Sequence, residues 1–465
     1  MPRISLRPDY SESRIPNFSQ ASLVNMYAER GEGKGAFPVV GDQGRVLKVS
    51  LPSPGRGQFV HLGKHYVAAG EGLYRIESDW NATLIGALPG QYQARFAANS
   101  TQIAICAQPR LYTLDTETEV FSEVDDHDLP DVSDIVAVNQ VGAFLYADSA
   151  LWGTTRAGDF RQIDALDIAT AESSGDPLVG AVIILNMLVL FGTDSTEIWA
   201  NTGEGSPPFD RAFVADVGCV AAATIRRFDG SVLWLGRTPS GGVTVMRTAG
   251  SQPVRYATHA VERLIEACPD LHLARAFTYV RDGHEFYELA LSNGSVRVDA
   301  ATGLWTQTGA GAWPAGAFPP PNNYVNAVTI DGPTAHQSQD GDLYVGGDGV
   351  YTDGSAPLTR VIRTPVVAGN GKRITMHRVE LELETGAAAE VEDEQFVQAY
   401  ISRDGCHTWA DLGLRSIGKR GDYGKRAEWR RLGQVENATI EFRYTGNGPF
   451  NVTGVYADID EDKRP

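Results

Sequence analysis

Apolar and aromatic residues along this chain alternate with polar ones in short runs, and most runs end in Gly, Asp or Asn. A period of two over such a run marks a strand whose two faces differ. One pattern recurs: a turn residue, an apolar or aromatic strand, then an acidic or Gly turn. It reads GLYRIESD at 72–79, RLYTLDTET at 110–118, ALWGTTRAGD at 150–159, TEIWANTGEG at 196–205, VTVMRTAGS at 243–251, SVRVDAATG at 295–303 and DLYVGGDG at 342–349. Other strand-like runs stand before the copies, among them HYVAAG, TQIAICA, MLVLFG and VLWLGR. Neighbouring copies lie roughly 40 to 50 residues apart, the size of one four-stranded propeller blade. A lone small sheet cannot bury both faces, whereas blades in a circle cover one another and leave only short edges. The pattern predicts an all-β chain with a β-propeller of six or seven blades over 56–362. No repeated WD or kelch signature accompanies it, and a pair of β-sandwiches would show similar strand spacing.

A few stretches break the alternation. THAVERLIEAC (258–268) sets Val261, Leu264, Ile265 and Cys268 at helical spacing, with Thr258 as N-cap and Pro269 as stop, which predicts one short amphipathic helix. DALDIATAES (164–173) reads as a helical or irregular insert, and GAWPAGAFPPPNNY (311–324) as a stiff Pro-rich loop. PLVGAVIILNMLVLFG (177–192) is too short to span a membrane and is broken by Gly180 and Asn186. It predicts two buried strands with a turn at Asn186, so no membrane-spanning segment is expected. Residues 1–55 show little periodicity. Residues 363–465 predict a separate C-terminal β-sandwich or sheet module with strands in 373–386, 395–405, 438–446 and 451–462, and DIDEDKRP as a solvated tail.

Composition supports this outline. The 465 residues exceed one ordinary core unless that core is a ring or array. Fifty Gly, 24 Pro and 42 aromatic residues (17 Tyr, 17 Phe, 8 Trp) suit many short strands joined by turns. A net charge of -18 argues against a general nucleic-acid binder, which needs Lys and Arg to displace counterions from phosphates. It is compatible with a protein that DNA slides through, because a negative wall repels DNA. Cys106, Cys219, Cys268 and Cys406 form no CxxC and read as free thiols in a reducing compartment. The N-terminal MPRISLRPDYSES has no apolar core, so no secretion signal is expected.

The search for chemistry returns little. GxSxG, HExxH and GxxxxGK[ST] are absent, GEGKG (31–35) is too short for a phosphate loop and reads as a flexible turn, and no cofactor is indicated. His61 and His65 would stand roughly 13 Å apart along one strand, too far for a shared metal ion. Asp340, Asp342 and Asp348 lack EF-hand spacing and read as hairpin turns, so no metal site is expected. SRDGCHTW (402–409) resembles the Asp-box turn S-x-D-x-G-x-T-W of sialidase-like propellers, with Cys406 in place of Gly. There Ser402 and Asp404 bond turn amides and Trp409 packs beneath the hairpin. RGDYGKRAEWRRLGQ (420–434) carries five basic residues in an acidic chain; its RGD matches the adhesion tripeptide, a reading set aside with no secretion signal expected. Three other readings stay open for it: an assembly surface anchored by Tyr423, Trp429 and Arg430, a core cover formed by Trp429 and Leu432, or a lining for DNA.

Several of these motifs, in order, resemble the packaged-DNA stabilisation proteins of short-tailed bacteriophages, also called tail hub or nozzle proteins. SLVNMYAER (22–30), with Asn25, Tyr27 and Glu29, looks like the family's N-terminal motif. DALDIATAESSGDPLVG (164–180) and FGTDSTEIWANTGEGSPPFDR (191–211) look like its central blocks. RYATHAVE (255–262), AFTYVRDGHEFYELAL (276–291) and DAATGLWTQ (299–307) look like a third, and ISRDGCHTW with GDYGKRAEWRRLGQ like the C-terminal block. VVGDQGRVL stands where the family often has a Pro-Gly turn. The resemblance implies a non-enzymatic virion tail protein, made in the host bacterial cytoplasm. It implies a homo-oligomeric ring, usually a hexamer, below the portal and adaptor rings. Such a ring extends the DNA channel, is plugged by a tail needle, and carries tailspikes or fibres around it; DNA passes without sequence-specific binding. Residues 1–55 would then pack with the C-terminal module or a ring neighbour. The runner-up is a sialidase-like glycosidase, which needs an arginine cluster and a Tyr–Glu pair; a third reading is a non-viral propeller scaffold.

Overall fold

Two-residue hairpin turns recur through the first two-thirds of the chain. Leu62–Gly63, Leu185–Asn186, Asp229–Gly230 and Asp282–Gly283 all hold φ between 46° and 79°. Turns of this kind match the twist of the strands they join, which fixes tight antiparallel pairs. The computed structural model describes residues 3–4, 6–15, 19–31, 37–171, 175–250, 252–330, 332–369, 372–388 and 393–461. Among them the hairpins assemble into seven antiparallel blades. Blade one comprises Gly55–His61, Lys64–Ala69, Gly72–Ile76 and Ala82–Ala87; blade two Arg95–Ala98, Gln102–Ala107, Arg110–Asp115 and Phe121–Glu123. Blade three comprises Val132–Val138, Val141–Tyr146, Leu151–Arg156 and Asp159–Thr170; blade four Leu178–Ile184, Met187–Gly192, Thr196–Asn201 and Phe209–Ala215. In blade five Gly218–Cys219 and Arg226–Phe228 both pair with Ser231–Arg237, followed by Val243–Ala249 and Gln252–Arg255. Blade six comprises Arg275–Arg281, His284–Leu291, Gly294–Asp299 and Trp305–Thr308. Blade seven takes Tyr324–Thr329, Thr334–Ser338 and Leu343–Gly346, and its outer strand, Arg45–Val49, comes from the other end of the chain.

The first strand of each blade packs beside the next, and that of blade seven returns to blade one, so the ring is closed. The recurring motif in every case contains the third strand of a blade. Apolar side chains between blades form separate clusters, such as Tyr66, Ile105 and Leu114 between blades one and two, or Trp152, Leu190 and Trp199 between blades three and four. Each cluster depends on both neighbours, which is the physical reason a blade needs its ring.

The helix forms at His259–Glu266 and packs Ala260, Val261, Leu264 and Ile265 into the core between blades five and six. Thr258 is its N-cap by backbone position, but its hydroxyl makes no capping bond and is buried without a partner. Three expectations are corrected. Residues 164–170 lie in the strand Asp159–Thr170, held by pairing with Leu151–Arg156, rather than in a helical insert; 172–173 lie outside the described residues. His61 and His65 sit on facing strands across the Leu62–Gly63 turn, not along one strand. Residues 458–461 of the supposed tail belong to the strand Val452–Glu461, zipped to Ile374–Leu383; 462–465 lie outside the described residues, as does all but Gly31 of the 31–35 turn.

The C-terminal unit is a β-sandwich. One sheet places Ile374–Leu383 between Val452–Glu461 and Ala427–Val435; the other runs Arg360–Arg363, Asn437–Tyr444, Gln395–Ser402, Ala410–Gly418. Met376, Val379, Leu381, Val397, Ile401, Trp429, Phe442 and Val455 fill the space between them. Ala410–Gly418 and Ala427–Val435 were not among the four strands expected. Both are sheet edges, so polar and charged residues interrupt their apolar period.

Candidate assembly site: the seam and the 419–426 loop

The run ASLVNMYA is nearly continuous in apolar residues because both its faces are covered. Gln20–Val24 is buried throughout and lies between two strands of different origin. Val24 pairs in parallel with Gln307 of blade six, while Ser22, Leu23 and Val24 pair antiparallel with Arg363, Ile362 and Val361 of the sandwich. One continuous sheet therefore runs from blade six, through an N-terminal strand, into the sandwich. At Asn25 the backbone turns left-handed (φ 52°), a conformation Asn tolerates better than most residues. The Asn25 Nδ2 donates to the carbonyls of Gly309 and Thr359 at 2.8 Å each, and its Oδ1 accepts from the Gly309 amide at 3.0 Å. Met26–Ala28 then pairs with Val39–Gly41, which reaches the second sandwich sheet at Val452.

Charge is buried along this seam, and most of it is paired. The Asp42 carboxylate accepts from Nη1 and Nη2 of Arg297, at 2.6 and 2.7 Å, and from Nη2 of Arg281 at 2.6 Å. Burial alone would raise this carboxyl, but Arg281 and Arg297 hold it well below the usual range. Tyr27, 2% exposed, packs its ring on His284 and Phe286 under both arginines and donates its hydroxyl to Asp282 at 3.2 Å. Arg360 donates Nε to the Asp42 carbonyl (2.8 Å) and lies over the rings of Tyr351 and Tyr444. Glu29 is half-buried beside this region, its amide bonded to the Pro38 carbonyl at 3.0 Å.

A second knot joins the Pro-rich loop to the sandwich. Glu441, fully buried, binds Arg363 at 2.9 Å and Arg443 at 2.5 Å; Arg363 also reaches Glu12 at 3.0 Å. Arg443 donates to the carbonyls of Trp313 and Pro314 and stacks over the Trp313 ring. The Asp-box turn stands next to this knot. Ser402 Oγ accepts from the Cys406 amide and donates to Asp404, each at 2.8 Å, and Asp404 accepts from the Thr408 amide at 2.9 Å. Bonds from the Thr408 hydroxyl and amide lower the Asp404 carboxyl below its ordinary value. Trp409 lies against Gly316 of the Pro-rich loop and beneath the Arg363 guanidinium, so this indole tethers the two units.

The basic stretch divides. Trp429 is 1% exposed, packs on Phe442 at 5.3 Å and donates to the Gly413 carbonyl at 2.8 Å. Trp429 and Leu432 are core residues, and side chains so deeply covered offer no surface to a partner. The 419–426 loop is different. It links the edge strands of the two sheets and leaves Arg420, Tyr423, Lys425 and Arg426 exposed, with Tyr423 at 78%. Arg426 approaches Glu380 at 3.5 Å and Arg430 pairs with Glu428 at 2.7 Å, both on the surface. The residues singled out in the sequence thus fall into three groups: Asn25, Tyr27, Glu29, Ser402, Asp404 and Trp409 at or beside the seam, Trp429 in the sandwich core, and Tyr423 and Arg430 on the surface outside it. The seam's own charges, Asp42, Arg281, Arg297, Arg363, Glu441 and Arg443, were missed. Their one local sign is a charged residue in the middle of an apolar strand, as in SVRVD and IEFRY.

Cys106, Cys219 and Cys268 are buried free thiols, and Cys406 is a half-buried one. Among the described residues no three His, Cys, Asp or Glu side chains gather as metal ligands would, and no helix is long and apolar enough to cross a membrane.

Comparison with solved structures returns distant likenesses. The N-terminal domain of Nup159 shares 11% identity at a TM-score of 0.42, covering 74% of this chain and 99% of that one. The extracellular domain of BT4673 from B. thetaiotaomicron shares 9% at 0.45, covering 83% and 47%. BamB from Moraxella catarrhalis shares 9% at 0.39, covering 65% and 99%. None is similar enough to carry an argument about function. Comparison with curated proteins returns no match. Two family models do match, in order and over most of the chain: bacteriophage P22 Gp10, beta-propeller, at residues 9–317, and bacteriophage P22 Gp10, beta-sandwich, at residues 359–460. The chain belongs to the bacteriophage P22 Gp10 family, the packaged-DNA stabilisation or tail hub proteins of podoviruses.

Proposed function

We propose that this protein is a ring-forming tail hub that extends the DNA channel below the portal and adaptor, retains packaged DNA and releases it when a needle or plug departs. Its action is mechanical, and no catalytic step is assigned to it. The observation that carries the reading is the stitched seam in a chain of this family. A propeller and a sandwich joined by one continuous sheet and by buried ion pairs behave as a single stiff wedge, the kind of part a pressurised ring requires. The conduit is the axis of the ring, not that of the propeller. The propeller's own central cavity holds about 280 Å³, a share of volume on the order of ten waters, and a double helix has no room in it. The excess of acidic residues lets DNA pass with little adhesion.

The test is DNA retention. Particles assembled without the chain are supplemented with the purified protein and its needle partner, and nuclease-protected DNA is followed over time. Retention and infectivity that return only with this chain support the hub. Particles that hold their DNA without it overturn the reading, and glycan cleavage by the purified protein becomes the next assay.

A further inference from the structure

The outer strand of blade three, Asp159–Thr170, leaves its partner in one place. Gly153 pairs with Ile168 and Thr155 with Ile163, so Thr154 alone faces four residues, Asp164, Ala165, Leu166 and Asp167. A bulge of that size lifts residues off the sheet. Leu166 is 80% exposed there, with a carboxylate on either side of it in the chain. Asp164 accepts from the Leu166 amide at 3.0 Å, and neither Asp164 nor Asp167 meets a cation among the described residues. Arg156 and Arg161 of the same hairpin are bonded to Gln162 and Asp159. Burial, and then the neighbouring Asp164, raise the Asp167 carboxyl above its ordinary value. Beside the bulge a cleft of about 570 Å³ reaches the 201–208 loop of blade four, which carries the exposed Glu204. The rim of blades three and four thus presents an apolar side chain among three carboxylates. The 419–426 loop is its complement. It holds four cations and one carboxylate in a chain of net charge -18, and it exposes Tyr423. Arg420 and Lys425 are exposed with no ion-pair partner among the described residues, and Arg426 comes no nearer than 3.5 Å to Glu380. Blade three lies halfway round the ring from blades six and seven, which carry the sandwich. The loop and the bulge of one chain therefore stand on opposite sides and meet only between copies.

We propose that the 419–426 loop of one copy docks on the blade-three bulge of the next, with Tyr423 against Leu166 at the cleft and Arg420 and Lys425 facing Asp167 and Glu204. The tyrosine and leucine supply an apolar centre, and the opposite charges around it fix which surface meets which. The two surfaces differ, so the contact runs head to tail. Such contacts close into a ring when the rotation between copies allows it. The proposal rests on the ring reading above and assigns the two faces of its subunit contact.

Particles assembled without the chain are supplemented with full-length variants, and incorporation and DNA retention are both scored. Arg420→Glu with Lys425→Glu, or Asp167→Lys with Glu204→Lys, lowers incorporation at least about tenfold at unchanged melting temperature. All four reversals in one chain restore it, because each contact then joins a reversed loop to a reversed bulge. Leu166→Cys with Tyr423→Cys gives a ladder of linked copies on mild oxidation, which neither single variant gives. Full incorporation of either reversed pair overturns the proposal. Loss without recovery in the fourfold variant overturns it too, since loop and bulge then meet different partners. If a reversed variant fails to fold, the cysteine pair decides: an incorporated double variant with no ladder removes the contact. Wild-type particles that retain DNA while these tests fail keep the hub and lose this contact. Particles indifferent to the wild-type chain remove the hub, and the contact with it.

Discussion

The seam and the propeller channel treat arginine in opposite ways. In the seam, Arg297, Arg363 and Arg443 are at most 8% exposed, and each lies within 3.0 Å of a carboxylate that is itself buried. In the channel, Arg226 is half-buried with no carboxylate bonded to it, and the one acid present is engaged by backbone amides and Arg95. A complete buried pair adds little net stability over an apolar one, but half of a pair is expensive, so such pairs resist any relative shift of the units they join. The seam has that character: it fixes an angle between propeller and sandwich. The channel has no such closed pair: Arg95 stands 3.8 Å from Asp134 and donates to the Ala222 carbonyl, and Arg226 donates to the Ile225 carbonyl.

The strongest test of this contrast is Glu441→Ala. It strands Arg363 and Arg443 in the seam without a shared acceptor, and stability to denaturant should fall by about 3–5 kcal/mol. A loss below about 1 kcal/mol would mean that water reaches these guanidiniums and that the seam is not closed. Arg226→Gln, by contrast, should cost at most about 1 kcal/mol, since it gives up one bond to the Ile225 carbonyl and strands no buried carboxylate.

Acid provides the next largest effect. Burial pushes His65 down to about 4, and burial together with Arg45 and Arg281 holds His336 well below its ordinary value. Both are neutral in the folded protein. The unfolded chain takes up their protons near pH 6.5, so their contribution is whole above that pH and declines as the pH falls. The His65 share, about 3 kcal/mol, is spent by pH 4. Asp42 behaves as a depressed carboxyl and its share is lost only below about pH 3.9. Denaturation curves between pH 7 and 4 should therefore show decline before the seam carboxylate titrates. A shallower profile in His65→Gln than in the wild type assigns the His65 share of the early loss, the remainder belonging to His336; an unchanged slope removes His65 as a source.

Much of the propeller was legible and little of the seam was. A blade is a local object: its strands follow one another, its turns carry Gly, Asn or Asp, and its third strand is apolar and bounded, so seven copies stood out. The seam pairs residues far apart in sequence, Asn25 with Gly309 and Thr359, Asp42 with Arg297, Arg363 with Glu12 and Glu441. No local period marks such partners, and a strand buried on both faces, like Gln20–Val24, loses the alternation that announces a strand. The Asp-box was readable in its turn bonds. The destination of Trp409 was not, because it depends on a glycine in another unit.

Gly316→Ala probes that contact. Gly316 has φ +75°, and a Cβ there would run into the Trp409 indole. Strain and clash together should cost about 1–3 kcal/mol. The part due to the clash should vanish in a Trp409→Ala background, which a double-mutant cycle measures. Additive costs would detach Trp409 from the seam.

The smallest effect on stability is expected where the effect on assembly is sought. Tyr423→Ala and Arg430→Ala remove exposed side chains, one of them in a surface ion pair, and each should change folding stability by no more than about 0.5 kcal/mol. Trp429→Ala cannot serve this purpose, because its indole belongs to the sandwich core and its loss lowers stability whatever the surface does. A particle-incorporation assay on the two stable variants therefore separates loop from core. Reduced incorporation at unchanged melting temperature places a partner on the 419–426 side of the sandwich. Normal incorporation of both leaves the loop as a solvated crossover between two sheets, with Arg426 near Glu380 and, on the strand that follows, Arg430 paired with Glu428.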